Sequence, residues 1–172
     1  MDSLLKEILD TKKLFLTAKM NYRRFDKTIP ALYRDNIGNA GYDLFAREEV
    51  TLQPGEYKRI PLNVATEIPI GAVGLLFQRS SLFHRLGLRL TNGVGVIDAS
   101  YRGDGDEWQA EFQNVTDEPV TVRKGDKICQ AVFVPILHME LIEKDSLGNE
   151  DRGGFGSTFH NAFEGGGDNA RK

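Results

Sequence analysis

The chain has 172 residues, room for one domain of ordinary size. Its 22 Lys and Arg against 25 Asp and Glu give a net charge of -3. That argues against a general nucleic-acid binder, while leaving space for a locally basic pocket that takes a small phosphorylated ligand. One cysteine, Cys129, excludes an internal disulfide framework and fits a reducing compartment. His84, His138 and His160 are scattered and come with no second cysteine, which speaks against a His/Cys zinc site. No apolar run approaches the ~20 residues that span a bilayer. The start, Met1 to Glu7, mixes acids and bases where a signal peptide needs an apolar stretch. The expectation is a cytoplasmic protein with neither a membrane nor a nucleic acid as partner.

In chain order, residues 3–10 read as a helix, with Ser3 as cap and Leu4, Leu5, Ile8 and Leu9 on one face. They belong to an extension over residues 1–20. From about residue 22 short apolar stretches alternate with Gly, Pro, Asn and Asp: Val50–Leu52, Arg59–Leu62, Val73–Phe77, Val94–Ile97, Trp108–Phe112, Val120–Val122 and Ile128–Ile136. Turn signals between them include Pro54-Gly55, Asn92-Gly93 and Lys124-Gly125-Asp126. Strands this short and closely spaced predict an all-β sandwich, jelly roll or barrel over residues 21–145. Ser80–Leu86 reads as one short internal helix. Residues 146–172 are rich in glycine and read as a flexible arm. Phe155, Phe159 and Phe163 are unusual in a solvated tail and suggest a segment that closes over a ligand or docks on a neighbour.

Five segments carry candidate chemistry. Ala40-Gly41-Tyr42-Asp43-Leu44 read alone is a turn entering a strand, with Asp43 as a turn acid. Arg79-Ser80-Ser81-Leu82 puts an Arg fork and two hydroxyls at the start of the short helix, a pattern that suits an anion, or simply caps the helix. Leu90–Gly103 holds an Asn92-Gly93 hairpin turn able to read the edge of a flat ligand, then Asp98 at the end of an apolar strand, then Tyr101 with a flat face for a sugar or base. Gly125–Ala131 is a tight turn feeding a buried strand, with Gln130 as a phosphate donor or a cross-strand hydrogen-bonding residue. In Gly153-Gly154-Phe155-Gly156-Ser157-Thr158, glycines allow backbone approach to phosphates, Ser157 and Thr158 supply donors, and Phe155 can stack on a base.

In this order and spacing the five segments resemble the five motifs of the homotrimeric dUTP diphosphatase (dUTPase) family, from about Arg23 to Thr158. The resemblance implies a distorted jelly-roll or β-barrel subunit with a flexible C-terminal arm, and a homotrimer with active sites shared between subunits. It implies hydrolysis of dUTP to dUMP and pyrophosphate, which keeps uracil out of DNA and supplies dUMP for thymidylate synthesis. Carried over by position, Asp98 is the catalytic residue that orients the attacking water. Arg79, Ser80, Ser81 and Gln130 hold phosphate oxygens. Asn92, with Gly95, Val96 and Ile97 of the following strand, reads uracil, and Tyr101 packs on the deoxyribose. Phe155 stacks over uracil, with Gly156, Ser157 and Thr158 near the γ-phosphate. Mg²⁺ is chelated mainly by the triphosphate, and Asp43 binds water on the metal.

The sequence departs from the family pattern in places. Glu150 and Asp151 stand where the arm usually has an Arg-Gly pair, and Arg152 is the nearby cation. Ser100 replaces an acid before Tyr101. The loop Gly103–Trp108 is longer and more acidic than the usual turn, and residues 1–20 precede the usual start. The related dCTP deaminases, including bifunctional ones, share an Arg-Ser-Ser-Leu segment and carry a catalytic Glu in a strand resembled by Ala110-Glu111-Phe112-Gln113-Asn114. The spacing after Arg79, the Gly95–Asp98 stretch with Tyr101 and the arm favour the diphosphatase, with Glu111 as a hairpin-supporting acid. A third reading is a dUTPase-like regulator that binds a repressor through residues 1–20 or the 104–108 loop.

Overall fold

The computed structural model describes residues 18–153. The helix expected at 3–10 and the arm residues Phe155, Gly156, Ser157 and Thr158 lie outside them. The chain divides into two units, Met1–His138 and Met139–Lys172. In the second, residues 139–153 are exposed and hold neither helix nor strand.

The first unit is built from short strands: β1 (Tyr22–Arg24), β2 (Tyr42–Phe45), β3 (Val50–Leu52), β4 (Tyr57–Pro61), β5 (Val64–Thr66) and β6 (Ala72–Gln78). After them come the helix α1 (Leu82–Leu86), then β7 (Leu88–Leu90), β8 (Gly95–Ile97), β9 (Gln109–Asn114), β10 (Val120–Val122) and β11 (Lys127–Pro135). Every pairing among them is antiparallel. The sheets run β2-β11-β6-β8, β4-β9-β7, β1-β5 and β10-β3. The all-β expectation holds, with α1 close to where the sequence put it. Among the described residues the strands form separate sheets and no closed barrel.

Alternation explains the packing. In β9, Ala110, Phe112 and Asn114 point inward while Gln109, Glu111 and Gln113 point out or lie half-exposed. Trp108, Phe112, Leu44, Ile60, Leu76, Leu88 and Ile128 are fully buried and form one core. Each contributes about 1.5–3 kcal/mol by leaving water. Gly74 in β6 is needed for this packing: a Cβ there would stand 2.7 Å from Trp108 Cη2. Asn114, fully buried, is satisfied. Asn114 Nδ2 donates to Leu52 O at 3.1 Å and Glu118 O at 2.8 Å, and its Oδ1 accepts from Thr116 N–H at 2.9 Å.

One expectation about the middle of the chain is corrected. Asn92-Gly93 does turn the chain, with Gly93 N–H donating to Leu90 O at 3.3 Å. The strands it joins are not a hairpin, because β7 pairs with β9 and β8 pairs with β6. Leu88 and Leu90 are both buried beside Phe112, which draws β7 to the opposite sheet. The acidic loop after Tyr101 is held by its own contacts. Asp106 Oδ2 accepts from Gly103 N–H at 2.7 Å, closing a tight turn. Glu107 is only 6% exposed. Its Oε1 accepts from Arg47 Nε at 2.8 Å and from Asn63 N–H at 2.9 Å.

Candidate active site

One cluster forms at an end of the four-stranded sheet. Gln130 on β11 stands in register with Asp43 on β2 and with Phe77 on β6. Arg79 follows β6 directly, its N–H donating to Ile128 O at 3.1 Å. Three adjacent strands thus deliver a carboxylate, an amide and a guanidinium to one place. The packing there is close: a Cβ on Gly41 would lie 2.6 Å from Gln130 Oε1, so only glycine leaves this amide its position. Asp43 Oδ1 pairs with Arg79, and its Oδ2 is 2.9 Å from Lys127 Nζ. Lys127 is steered by two rings, 5.3 Å from the Tyr33 centroid and 5.9 Å from that of Phe45. Asp43, Arg79, Ser80 and Gln130 share a cavity of about 420 Å³ whose other wall is the loop from Tyr33 to Gly41.

The helix adds little to this anion site, contrary to the reading of Arg79-Ser80-Ser81. α1 has five residues, Leu82 N–H is used on Arg79 O at 3.0 Å, and the Ser81 side chain makes no capping bond. Side chains, not a helix terminus, provide the positive field. Ser81 is exposed and lines no cavity described here.

A second cavity, of about 460 Å³, opens elsewhere on the same unit. Asn92, Ile97 and Tyr101 line it together with Leu76, Leu90 and Glu111. Tyr101 is fixed at both ends: its N–H donates to Asp98 O at 3.1 Å and its hydroxyl to Glu107 O at 3.0 Å. Partial burial, then the charges of Asp106 and Glu107, push its phenol pKa upward and keep the ring neutral. Asp98 follows β8 and is exposed, beside the cavity residue Ile97. Gly95 is buried against Leu76, whereas Val96 is 64% exposed and faces neither cavity. Arg152 is exposed in the second unit.

The structure therefore brings the sequence-derived residues together in two groups rather than one. It also adds residues the motifs did not single out. Lys127 was inside the fourth segment, and its contact with Asp43 was readable only from the register of β2 and β11. Arg34 and Tyr33 precede the first segment and reach the phosphate-type cavity only because Tyr33 bridges Asp43. Arg59 and Thr91 hold Glu111: Thr91 Oγ1 donates to Oε1 at 3.1 Å, and Arg59 Nε lies 3.3 Å from Oε2. Both Glu111 oxygens are engaged, as suits a supporting acid. Cys129 is fully buried, and burial pushes its thiol far above the usual range, which removes it as a nucleophile.

One cavity with Arg, Ser and Gln donors and another with an aromatic ring beside an Asn have the make-up of an all-β nucleotide-handling protein. The comparisons with known proteins are specific. The sequence model of the dUTPase family matches residues 27–159. The deoxyuridine 5'-triphosphate nucleotidohydrolase of Desulfitobacterium hafniense is 41% identical over 148 residues, 83% of this chain and 96% of that relative. The dUTPase of Staphylococcus bacteriophage 80alpha, solved with dUPNHPP, superposes with a TM-score of 0.74 at 28% identity, covering 84% of this chain and 100% of that one. A mutant dUTPase from phage phi11 of S. aureus, which coordinates a structural Mg(II) ion, gives 0.69 at 26% identity, over 77% of this chain and 100% of that one. This chain belongs to the dUTPase family.

Proposed function

We propose that the chain is a dUTP diphosphatase that releases dUMP and pyrophosphate by attack of water at the α-phosphorus. The observation that carries this reading is the sorting of motif residues by chemistry. Phosphate-binding types, Arg79, Ser80 and Gln130, share one cavity, and base- or sugar-binding types, Asn92, Ile97 and Tyr101, share the other. Each is half of a nucleotide site. That division supports a homotrimer in which the phosphate cavity of one subunit meets the base pocket of another. Exposed apolar side chains support it too, among them Val96, Leu137 and Leu141, the last 91% exposed.

In this mechanism Asp98 orients the attacking water and takes its proton. Arg79, Ser80 and Gln130 bind the phosphate oxygens and spread the developing charge. In the resting chain Arg79 rests on Asp43, so a triphosphate must compete for that guanidinium, while Lys127 remains to hold the carboxylate. Asn92 and the backbone of Gly95, Val96 and Ile97 read uracil. Tyr101, pinned at its hydroxyl, packs flat on the deoxyribose. The arm closes over the ligand through Phe155, Gly156, Ser157 and Thr158, with Arg152 near the phosphates.

No group of three or more His, Cys, Asp or Glu suited to a metal occurs among the described residues. A Mg²⁺ ion carried by phosphate oxygens and water needs only one or two carboxylates. Asp43, in the phosphate cavity, fits that role through a bound water. When bound, the ion neutralises charge on the triphosphate.

No helix among the described residues is long and apolar enough to cross a membrane. With its single buried cysteine, the enzyme is assigned to the cytoplasm. A panel of dUTP, dCTP, dTTP and UTP, with pyrophosphate and ammonia both measured, tests the reading. Pyrophosphate from dUTP alone is expected. Ammonia from dCTP would contradict it.

A further inference from the structure

The phosphate cavity contains a second guanidinium. Arg34, on the loop between β1 and β2, lines the same cavity as Arg79, Ser80 and Gln130. The loop is fastened where it passes β2: Asp43 N–H donates to Tyr33 O at 2.7 Å, and Tyr33 N–H donates back to Asp43 O at 3.4 Å. That bridge leaves Arg34 beside Tyr42, with Cζ 4.7 Å from the ring centroid. Stacking on an aromatic face fixes a guanidinium plane without using its N–H donors. Among the described residues Arg34 has one hydrogen bond, a long one of 3.5 Å from Nη1 to Asn39 O. Among the described residues it has no carboxylate within 4.0 Å, whereas Arg79 in the same cavity is paired with Asp43. The neighbouring acid, Asp35, is turned to the Tyr33 phenol, whose pKa it raises. A half-buried, oriented and unpaired guanidinium beside a polar cavity has the donor fork that phosphate accepts in bidentate fashion.

We propose that Arg34 is a phosphate-binding residue for the pyrophosphate end of the substrate, lending from the folded domain the charge that Glu150 and Asp151 do not bring from the arm. The proposal rests on the dUTP reading. Arg79 and Gln130 line one wall of the cavity and Arg34 the facing loop. In this assignment Arg34 meets phosphates that dUMP lacks, and so discriminates by phosphate number.

The test uses the full-length chain with Arg34→Met and Arg34→Lys. Affinities for inorganic pyrophosphate and for dUMP are measured by calorimetry, alongside kcat and KM for dUTP and the melting temperature. Arg34→Met is expected to weaken pyrophosphate binding and raise the KM for dUTP about tenfold, the size of one lost charge-assisted contact. Affinity for dUMP and the melting temperature should stay at wild-type values, and Arg34→Lys should recover part of the loss. If the Met variant melts early, Arg34→Gln takes its place in the same comparison. Equal weakening of pyrophosphate and dUMP, or no change in either, overturns the proposal. A wild-type chain that binds pyrophosphate through Arg34 yet leaves dUTP intact would instead overturn the activity reading.

Discussion

Asp43 meets two cations and Tyr101 is held at both its amide and its hydroxyl, and these contacts decide what each residue can do. A ring pinned through Glu107 O cannot swing aside for a bulkier sugar. Tyr101→Ala should therefore relax rejection of UTP relative to dUTP. A wall that excludes a hydroxyl by bulk discriminates by ~10² at most, so the ratio of kcat/KM values should fall by up to that factor. An unchanged ratio would mean that the sugar is read elsewhere. At this scale much was legible. Asp43, Arg79, Ser80 and Gln130, which the family resemblance singled out, line one cavity. Arg34 and Lys127 were not legible, because their importance depends on which strand lies beside which. No local pattern in Tyr33-Arg34 announces that Tyr33 will bridge Asp43. Glu107 was not legible for a related reason: nothing in its acidic loop announces that Arg47 and Asn63 draw it inside.

The elements show a second kind of limit. β6, β9 and β11 are long enough for their apolar runs to mark them. β1, β5 and β7 have three residues each and, unlike the equally short β3 and β10, did not stand out as apolar stretches. Their pairing follows from the core, as the diversion of β7 to β9 illustrates. Loops are tied to these strands by polar contacts, of which Asp26 is the best case. Its backbone exchanges hydrogen bonds with the Asn63 side chain, N–H to Oδ1 at 2.7 Å and Nδ2 to O at 3.0 Å. Lys124 Nζ at 2.5 Å, then the Thr28 hydroxyl and N–H, hold its carboxyl well below the usual carboxylate range. A carboxyl depressed in the folded state stabilises the fold at pH values above its unfolded pKa, ordinarily 3.8. That contribution is lost as pH falls below this value toward the folded one. Asp26→Asn should accordingly flatten the acid limb of a stability-versus-pH curve below about pH 4. Chemical denaturation at several acidic pH values checks this, and parallel curves for the two proteins would contradict it.

At the scale of the whole molecule, one chain presents two cavities that share no lining residue, assigned above to phosphate and to base. Sequence motifs can name the members of both groups, but a linear order does not say whether they meet within one chain or across a boundary. The separation favours meeting between copies, and exposed apolar residues such as Leu137 and Leu141 give those copies a surface to bury. Two inactive variants isolate the claim. Asp98→Asn removes the proposed general base and should cut turnover by roughly two orders of magnitude or more. Arg79→Ala removes the phosphate fork and leaves Asp98 intact. Co-expressing the two chains under separate affinity tags, purifying the mixed oligomer and measuring pyrophosphate release from dUTP is the most direct measurement. Shared sites predict recovery to about a third of wild-type activity, since each mixed trimer has one interface in three that pairs an intact Asp98 with an intact Arg79. Mixed oligomers no more active than either parent would contradict a site built between subunits.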